Sequence, residues 1–256
     1  MNEAENNTAL TLALIAHNEA KDLPSCLESV KGLAAEIVLV DSGSTDATMA
    51  IAREHGAKIQ ERSFTNYADQ KNAALSLSSN DWVLHLDPDE QLTPELKKEI
   101  SELLARGPDC DAYEIPYINY FLGKRMRHSG LNGERHIRLF KKSRSSFGGG
   151  LLHEGICVNG KTGRLRACII HHSYPDLEEY FQKFNRYTSL AAEKMHAGGK
   201  RFNGFRLLSA PYAFFKRYVL QAGFMDGVPG LAWAALAAFY VLVKYFKLWK
   251  LQRSAQ

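Results

Sequence analysis

The 256-residue chain predicts an α/β fold, a mixed sheet flanked by helices, followed by a helical C-terminal extension. Three observations carry this. Apolar runs dense enough for buried strands alternate with helical segments over the first hundred residues, the pattern of βαβ units around a mostly parallel sheet. Three of those runs end abruptly in polar, acid-containing loops, where open α/β sheets hold their ligands. From Lys200 onward nine Lys or Arg stand against one acid, Asp226, in a stretch that is also apolar and aromatic-rich.

Taken in order, Thr11 to Ala16 reads as a strand and Lys21 to Val30 as a helix. Glu36 to Val40 is a second buried strand, and Asp46 to His55 is helical. A shorter strand near Lys58 to Glu61 precedes a helix from Asn66 to Leu77, and Trp82 to Leu86 is the fourth strand. Thr93 followed by Pro94 reads as an N-cap and a first-turn proline. After Pro108 the pattern changes to shorter, mixed strands at Ala112 to Phe121, Arg135 to Phe140, Ile156 to Asn159 and Leu165 to His171. Gly148-Gly149-Gly150 marks a mobile loop among them. Helices follow at Leu177 to Met195, Phe205 to Gln221 and Leu231 to Lys250.

Composition narrows the function classes. Apolar residues at 45% and charged residues at 23% are ordinary for a folded protein, without low-complexity tracts or a fixed-period repeat. Met1 to Thr8 is polar and acidic, which predicts no export signal. Cys26, Cys110, Cys157 and Cys168 are widely spaced without a CxxC pair, as in a reduced cytosolic protein. The chain up to Lys200 holds 23 basic and 27 acidic residues, so the positive charge belongs to the tail. A basic and apolar tail argues for an anionic membrane surface as partner and against nucleic acid.

The sharpest chemistry lies at Asp87-Pro88-Asp89-Glu90, directly after the fourth strand. Clustered carboxylates resist burial and need a cation or water. Asp87 and Asp89 are two apart on extended backbone, so both lean to one side. That layout suits Mg²⁺ or Mn²⁺, which take oxygen ligands and leave positions for a phosphate. Asp and Pro are also turn formers, and a plain surface turn is the competing reading. Asp41-Ser42-Gly43-Ser44-Thr45-Asp46 combines a strand exit with a helix cap. Asp41 points into the crevice, where it can accept from a base N–H, and flexible Gly43 lets backbone approach a ligand. His17-Asn18-Glu19 occupies the same place after the first strand.

These motifs carry a resemblance. Ile15 to Glu19, Asp41 to Asp46, Gln70-Lys71-Asn72-Ala73 and Asp87 to Glu90 resemble, in order and spacing, the family 2 glycosyltransferases of GT-A fold, over roughly residues 8–100. Arg135 to Phe140, Leu152-His153-Glu154-Gly155 and Gly223-Phe224-Met225-Asp226-Gly227 look like the subgroup that adds a sugar to the lipopolysaccharide inner core, nearest the β-1,4-glucosyltransferases of the WaaE/LgtF type.

The resemblance implies a GT-A domain over residues 1–175, with a nucleotide-sugar half (8–107) and an acceptor half (108–175). Residues 176–256 are then a helical, membrane-associating extension. It implies that Glu19 and Asp41 contact the ribose or uracil of a UDP-sugar, that Asp87 lies near ribose or metal, and that Asp89 binds the divalent ion. Gln91 has the spacing of a further metal ligand in related dolichyl-phosphate mannose synthases. Lys71 and Asn72 match a pair near the nucleotide and equally suit an ordinary helix surface. Pro88 stands where the family often has Ala, removing a backbone N–H.

An inverting displacement needs a base for the acceptor hydroxyl and a cation for the departing diphosphate. Glu154 is the expected base and His153 its orienting partner or a metal ligand. A surface Glu paired with an Arg is the competing reading, and Asp111 and Glu114 are the other acids to test. Arg135 and Arg138, one or both, are expected to face phosphates. His171 and His172 read as structural or acceptor-site residues. The resulting expectation is hexose transfer, with glucose foremost, to a lipid-linked acceptor at the cytoplasmic face of a bacterial inner membrane. The rivals are a polyprenyl phosphate, capsule or protein acceptor, and a binding module without turnover. Leu231 to Val243 holds thirteen uncharged residues, too few to span a bilayer, which takes about twenty. With Lys244, Lys247, Lys250, Arg253 and nearby aromatics it suits an interfacial helix, or one that packs on the domain.

Overall fold

The computed structural model describes residues 9–150 and 153–254, and of these the side chains of all but 149, 150, 153, 154 and 254. The chain divides into two compact units. The first comprises Met1–Tyr117 and Gly133–His171, the second Ile118–Asn132 and His172–Gln256.

In the first unit, strands β1 (Leu10–Ala16), β2 (Glu36–Asp41), β3 (Lys58–Glu61) and β4 (Trp82–His85) are parallel, with β1 paired to both β2 and β4. Helices α1 (Leu23–Val30), α2 (Thr48–Glu54) and α3 (Tyr67–Leu77) make the connections. A short strand β5 (Glu90–Leu92) leads into α4 (Pro94–Arg106). Thr93 caps that helix by accepting from Leu96 N at 3.2 Å, with Pro94 in its first turn, as the sequence predicts. Strands β6 (Ala112–Phe121) and β8 (Arg135–Lys141) extend the sheet antiparallel, giving the order β3-β2-β1-β4-β8-β6. The order reverses at β1, so a crevice opens at the carboxyl ends of β1, β2 and β4.

Period-two burial explains the layering. Leu12, Leu14, Leu39 and Leu84 face one apolar cluster with Leu23, Leu27 and Ile100 from α1 and α4. Ala13, Val38, Val40 and Val83 face the other, against Ala74 and Leu75 of α3. Each buried Leu contributes about 2 kcal/mol, which makes a register slip costly.

Several expectations are corrected. Gly148-Gly149-Gly150 is not a loop. It belongs to β9 (Ser145–Gly150), which pairs antiparallel with β10 (His153–Val158), Gly148 opposite Gly155. The ladder is a backbone property, so it forms without side chains there. The strand expected over Leu165 to His171 is instead β11 (Thr162–Arg164) and β12 (Ile169–Tyr174). Strand β5 was not expected; it exists because its backbone pairs with β12, Gln91 opposite Ile170.

In the second unit, β7 (Lys124–Arg125) pairs with the end of β6. Helix α5 (Leu177–Ala197) is capped by Asp176, which accepts from Glu179 N at 2.8 Å. Helix α6 (Ser209–Phe215) continues as a π-helical turn over Lys216–Leu220, and α7 runs over Val228–Ser254. Phe121, Met126, Tyr180 and Phe184 form the core of this unit, with Trp233 and Tyr240 of α7 against them.

Asp226 is 3% exposed and straps a loop. Its carboxylate accepts from the amides of Arg127 and His128 at 3.0 Å and from Ser129 Oγ at 2.9 Å. Gly230 must be glycine, because a Cβ there would stand 1.9 Å from Gly223 O. Helix α7 is longer than the uncharged stretch within it. At 27 residues it is about 40 Å long, enough by length and composition to cross a membrane. Lys247, expected at a lipid interface, instead donates to Asn185 O, Thr188 Oγ1 and Ser189 Oγ, all at 2.8 Å, tying α7 to α5.

Candidate active site at the carboxyl end of strand β4

The apolar run of β4 ends in a turn. Glu90 N donates to Asp87 O at 3.0 Å, and Asp87 N donates back to the Glu90 carboxylate at 3.0 Å. The segment is therefore a tight turn, and the same turn brings its acids together.

Glu90, to which the sequence assigned no role, is the pillar of the cluster. It is 1% exposed, and its Oε1 accepts from Tyr117 Oη at 2.8 Å and from the Arg138 guanidinium. Arg138, on β8, also donates to Asp87 Oδ2 at 2.8 Å and to the Tyr117 hydroxyl. So Arg138, expected to face phosphates, is spent on carboxylates. Arg135 is elsewhere, donating to Leu165 O at 2.9 Å.

Lys71 is not on an ordinary helix surface. It is 6% exposed, with its Nζ 3.6 Å from Asp87 Oδ1 and 5.6 Å from the Phe147 ring centre. Its neighbour Asn72 does something else. Its side-chain amide donates to Phe147 O at 2.8 Å and accepts from Phe147 N at 2.9 Å, fastening β9 to α3.

Charge follows from these contacts. Burial works against ionising Asp87, but Lys71 and Arg138 outweigh it and hold the carboxyl well below the usual carboxylate range. For Glu90 burial wins, helped by Asp87 and Asp89, and its carboxyl is pushed up despite Arg138. His85 is 1% exposed and donates from Nδ1 to Ala13 O at 3.0 Å, since a carbonyl only accepts. Its Nε2 lone pair has no hydrogen-bond partner and lies 3.7 Å from Asp87 Oδ1. Burial, with Lys71 beside it, drives the pKa of His85 well down.

Asp89 lies 3.6 Å from His171 Nε2. Burial lowers the pKa of His171, but Asp89, Glu90 and Asp87 together raise it. The β5–β12 pairing puts His171 opposite Glu90, and nothing in the local sequence signals that juxtaposition. Neighbouring strand residues point to opposite faces, so Gln91 is turned away from the face that carries Glu90. Among the described residues no group of three His, Cys, Asp or Glu is arranged to hold a metal ion.

The loops after β1 and β2 are tied to each other. Asp41 is 0% exposed; its Oδ1 accepts from Gly43 N and Ser44 N at 2.9 and 2.7 Å, and its Oδ2 from the Ser44 hydroxyl at 2.5 Å. The carboxylate is thus committed to its own loop rather than offered to a base. Ser44 Oγ accepts from Asn18 N, and Thr48 Oγ1 from Glu19 N, both at 2.8 Å. Gly43 sits at φ +90°, a conformation that favours glycine, and is exposed beside the crevice. In register, Ala16 pairs Asp41 and Ala13 pairs His85, so the three loops share one edge of the sheet.

The other expected bases are engaged: Asp111 accepts from Lys141 Nζ at 3.0 Å and Glu114 from Arg164 Nε at 2.9 Å. His172 packs on Tyr120 with ring centres 5.0 Å apart. Glu154 and His153 have strand backbone, Glu154 opposite Gly149, but their side chains lie outside the described ones.

The model of the glycosyl transferase family 2 matches residues 11–162. The chain belongs to that family. The mixed sheet with acid-bearing loops is accordingly a GT-A-type glycosyltransferase fold, here with a C-terminal helix added. An uncharacterized glycosyltransferase of Rickettsia conorii is 31% identical, covering 94% of this chain and 89% of that one. The lipopolysaccharide core biosynthesis glycosyltransferase LpsC of Rhizobium meliloti is 29% identical, covering 90% of each. Among solved structures, S. aureus TarS 1-349 matches at 15% identity over 97% of this chain and 92% of that one, with a TM-score of 0.48. The family 2 glycosyltransferase is thus a transferase, with a relative in lipopolysaccharide core biosynthesis.

Proposed function

We propose that this glycosyltransferase is a divalent-metal-dependent, inverting hexosyltransferase. It moves a sugar, glucose foremost, from a UDP-sugar to a lipid-anchored oligosaccharide of the lipopolysaccharide inner core, in the manner of the WaaE/LgtF type. One observation carries the reading: Asp87 and Asp89 stand at the carboxyl end of β4, with Lys71 and Arg138 around the first acid and His171 beside the second.

The donor chemistry fits Mg²⁺ or Mn²⁺. Mg²⁺ is usually held by one or two carboxylates, with waters and substrate phosphates completing the shell, so no three-residue cage is required. Asp89 and His171 would hold the ion. Asp87, already balanced by Lys71 and Arg138, stays ionised at neutral pH and would accept from a ribose hydroxyl. The orphaned Nε2 of buried His85 adds a lone pair facing the same carboxylate. When bound, the cation supplies charge compensation for the departing diphosphate. Glu154 would take the proton of the acceptor hydroxyl as that oxygen attacks the anomeric carbon and the UDP oxygen leaves, with His153 orienting it. Asp41 would act one step back, fixing the loop through which Gly43 and Glu19 meet the nucleoside.

The lipid-anchored acceptor is supported by the second unit. Among the described residues every exposed large apolar side chain except Phe64 belongs to it, with Phe205 and Val228 each 79% exposed. Patches of that kind mark protein or membrane contact. Interspersed Arg201, Arg206 and Lys216 favour anionic lipid at the cytoplasmic face of the inner membrane.

The test is UDP release over a panel of UDP-sugars with truncated core acceptors, with and without Mn²⁺. Asp89→Asn is expected to lose at least about 100-fold in transfer, and His171→Ala to need about 10–100-fold more metal. Full activity of Asp89→Asn, or undiminished wild-type activity in a chelator, refutes the mechanism.

A further inference from the structure

The second unit contains a groove of about 370 Å³ that has no part in the acid cluster. Rings from three elements line it: Tyr174 at the end of β12, Tyr180 and Tyr187 on α5, Trp233 and Tyr240 on α7. Two cations reach it, Arg217 from the π-helical turn and Lys244 from α7, and no carboxylate among the described residues lines it.

Arg217 is the unusual member. Its side chain is half-buried, yet among the described residues its guanidinium has no hydrogen-bond acceptor and no acidic partner. Burial draws its pKa down, though a guanidinium starts high enough to stay charged. A half-buried, uncompensated cation is unfavourable in a folded chain unless something negative binds there. Among the described residues Lys244 makes only ring contacts, 5.6 Å from the Tyr240 centre and 5.3 Å from the Tyr245 centre. The π-helical turn carrying Arg217 is itself a local departure from α-helix of the kind common at functional sites.

We propose that this groove binds an anionic saccharide, the phosphate- or carboxylate-bearing part of the acceptor. Arg217 and Lys244 pair the anionic group, and the aromatic faces and tyrosine hydroxyls take the sugar ring. The lining favours a saccharide over an acyl chain, because the Tyr180 hydroxyl and the two cations have no counterpart in a hydrocarbon tail, whereas a sugar presents both apolar C–H faces and hydroxyls to such a surface. Arginine binds phosphate through two parallel donors, which makes Arg217 the specifying residue and Lys244 a point charge. The identification of the ligand as acceptor rests on the oligosaccharide-acceptor reading above; the groove's preference for an anionic saccharide does not.

The test is calorimetric titration of the full chain with a phosphorylated lipopolysaccharide core oligosaccharide stripped of acyl chains, and with the same oligosaccharide after dephosphorylation. The wild-type protein is expected to bind the phosphorylated form at least about 10-fold more tightly. Arg217→Gln is expected to abolish that preference, and Lys244→Gln, on half-exposed α7 surface, to weaken binding several-fold. UDP titrated into the same proteins reports separately on the first unit. Equal affinity of both variants and wild type for the phosphorylated form overturns the proposal. So does Arg217-dependent binding to phosphatidylglycerol vesicles without binding of the acyl-free oligosaccharide, which would make the occupant a lipid. If Asp89→Asn retains full transfer while the Arg217 preference stands, the catalytic reading falls and the groove survives; the reverse pattern removes only the groove.

Discussion

Replacing Arg138 by Met removes the charge that holds the acid cluster together while keeping an unbranched apolar stem of similar reach. Two carboxylates lose a partner at once: Asp87, whose Oδ2 is 2.8 Å from the guanidinium, and Glu90, which is 1% exposed. Each charge-assisted hydrogen bond is worth about 1.5–3 kcal/mol, giving about 3–6 kcal/mol for the two. Breaking a buried ion pair from one side costs about 3–5 kcal/mol by independent precedent. The two figures agree, and about 4 kcal/mol is a large share of the ~5–15 kcal/mol that holds a domain together.

The pH dependence has a definite sign. The Glu90 carboxyl already lies above its ordinary 4.5, and without Arg138 it rises further. A carboxyl raised on folding takes up a proton, so its contribution is intact below its unfolded pKa and lost as pH rises through the folded one. The Met variant is therefore expected to be closest to wild type near pH 4–5 and furthest below it at pH 8. Urea denaturation of R138M, E90Q and the double variant at both pH values measures this. Coupling of about 2 kcal/mol between the two sites is expected, since E90Q removes the buried charge that R138M strands. A loss under 1 kcal/mol at pH 8, with additive single effects, would refute the claim that these groups form one buried network.

At the opposite end of the sheet, Glu36 joins β1, β2, β3 and the approach to β4 by accepting from Thr11, Ser79 and Lys58. Burial would raise its carboxyl, but these donors bring it from 4.5 to about 2. A depressed carboxyl stabilises above its unfolded pKa and loses that as pH falls through the folded one, so Glu36→Gln should cost about 2–3 kcal/mol at pH 7 and little near pH 2. Thermal melts of both proteins across that window check it; a pH-independent difference contradicts the linkage. Asn72→Ala should cost about 2–3 kcal/mol from two lost bonds to Phe147 and raise amide exchange along β9. If UDP affinity falls while β9 stays protected, Asn72 serves the nucleotide instead.

Much of the sheet, and of the edge at which its acid-bearing loops emerge, was legible in one dimension, for identifiable reasons. Buried strands announce themselves by dense, continuous apolar runs, and Leu12, Val38 and Val83 lie inside the runs that read as strands. The acid-bearing loops were legible because a parallel sheet must place the ends of β1, β2 and β4 at one edge. Lys71 and Asn72 were legible as a pair but not as separate parts, since one faces Asp87 and the other grips Phe147. Gly148 to Gly150 misled because glycine is read as a loop signal, whereas a hairpin ladder needs only backbone.

By itself, then, the sequence determined which loops carry acids and on which edge of the sheet they emerge, because both depend on residues near in the chain. It pointed to Asp87-Pro88-Asp89-Glu90 as a site, with a plain turn as the competing reading. Only the tertiary structure decided that the turn is also the floor of a charged cluster. That decision needed Arg138 from β8, Tyr117 from β6 and His171 from β12, each brought in by backbone pairing across dozens of residues. It also needed burial, which makes an ionised carboxylate costly unless a charge or hydrogen bonds compensate it. Local periodicity carries no record of such pairings, which is why Glu90 was left without a role in the sequence and is the pillar of the folded site.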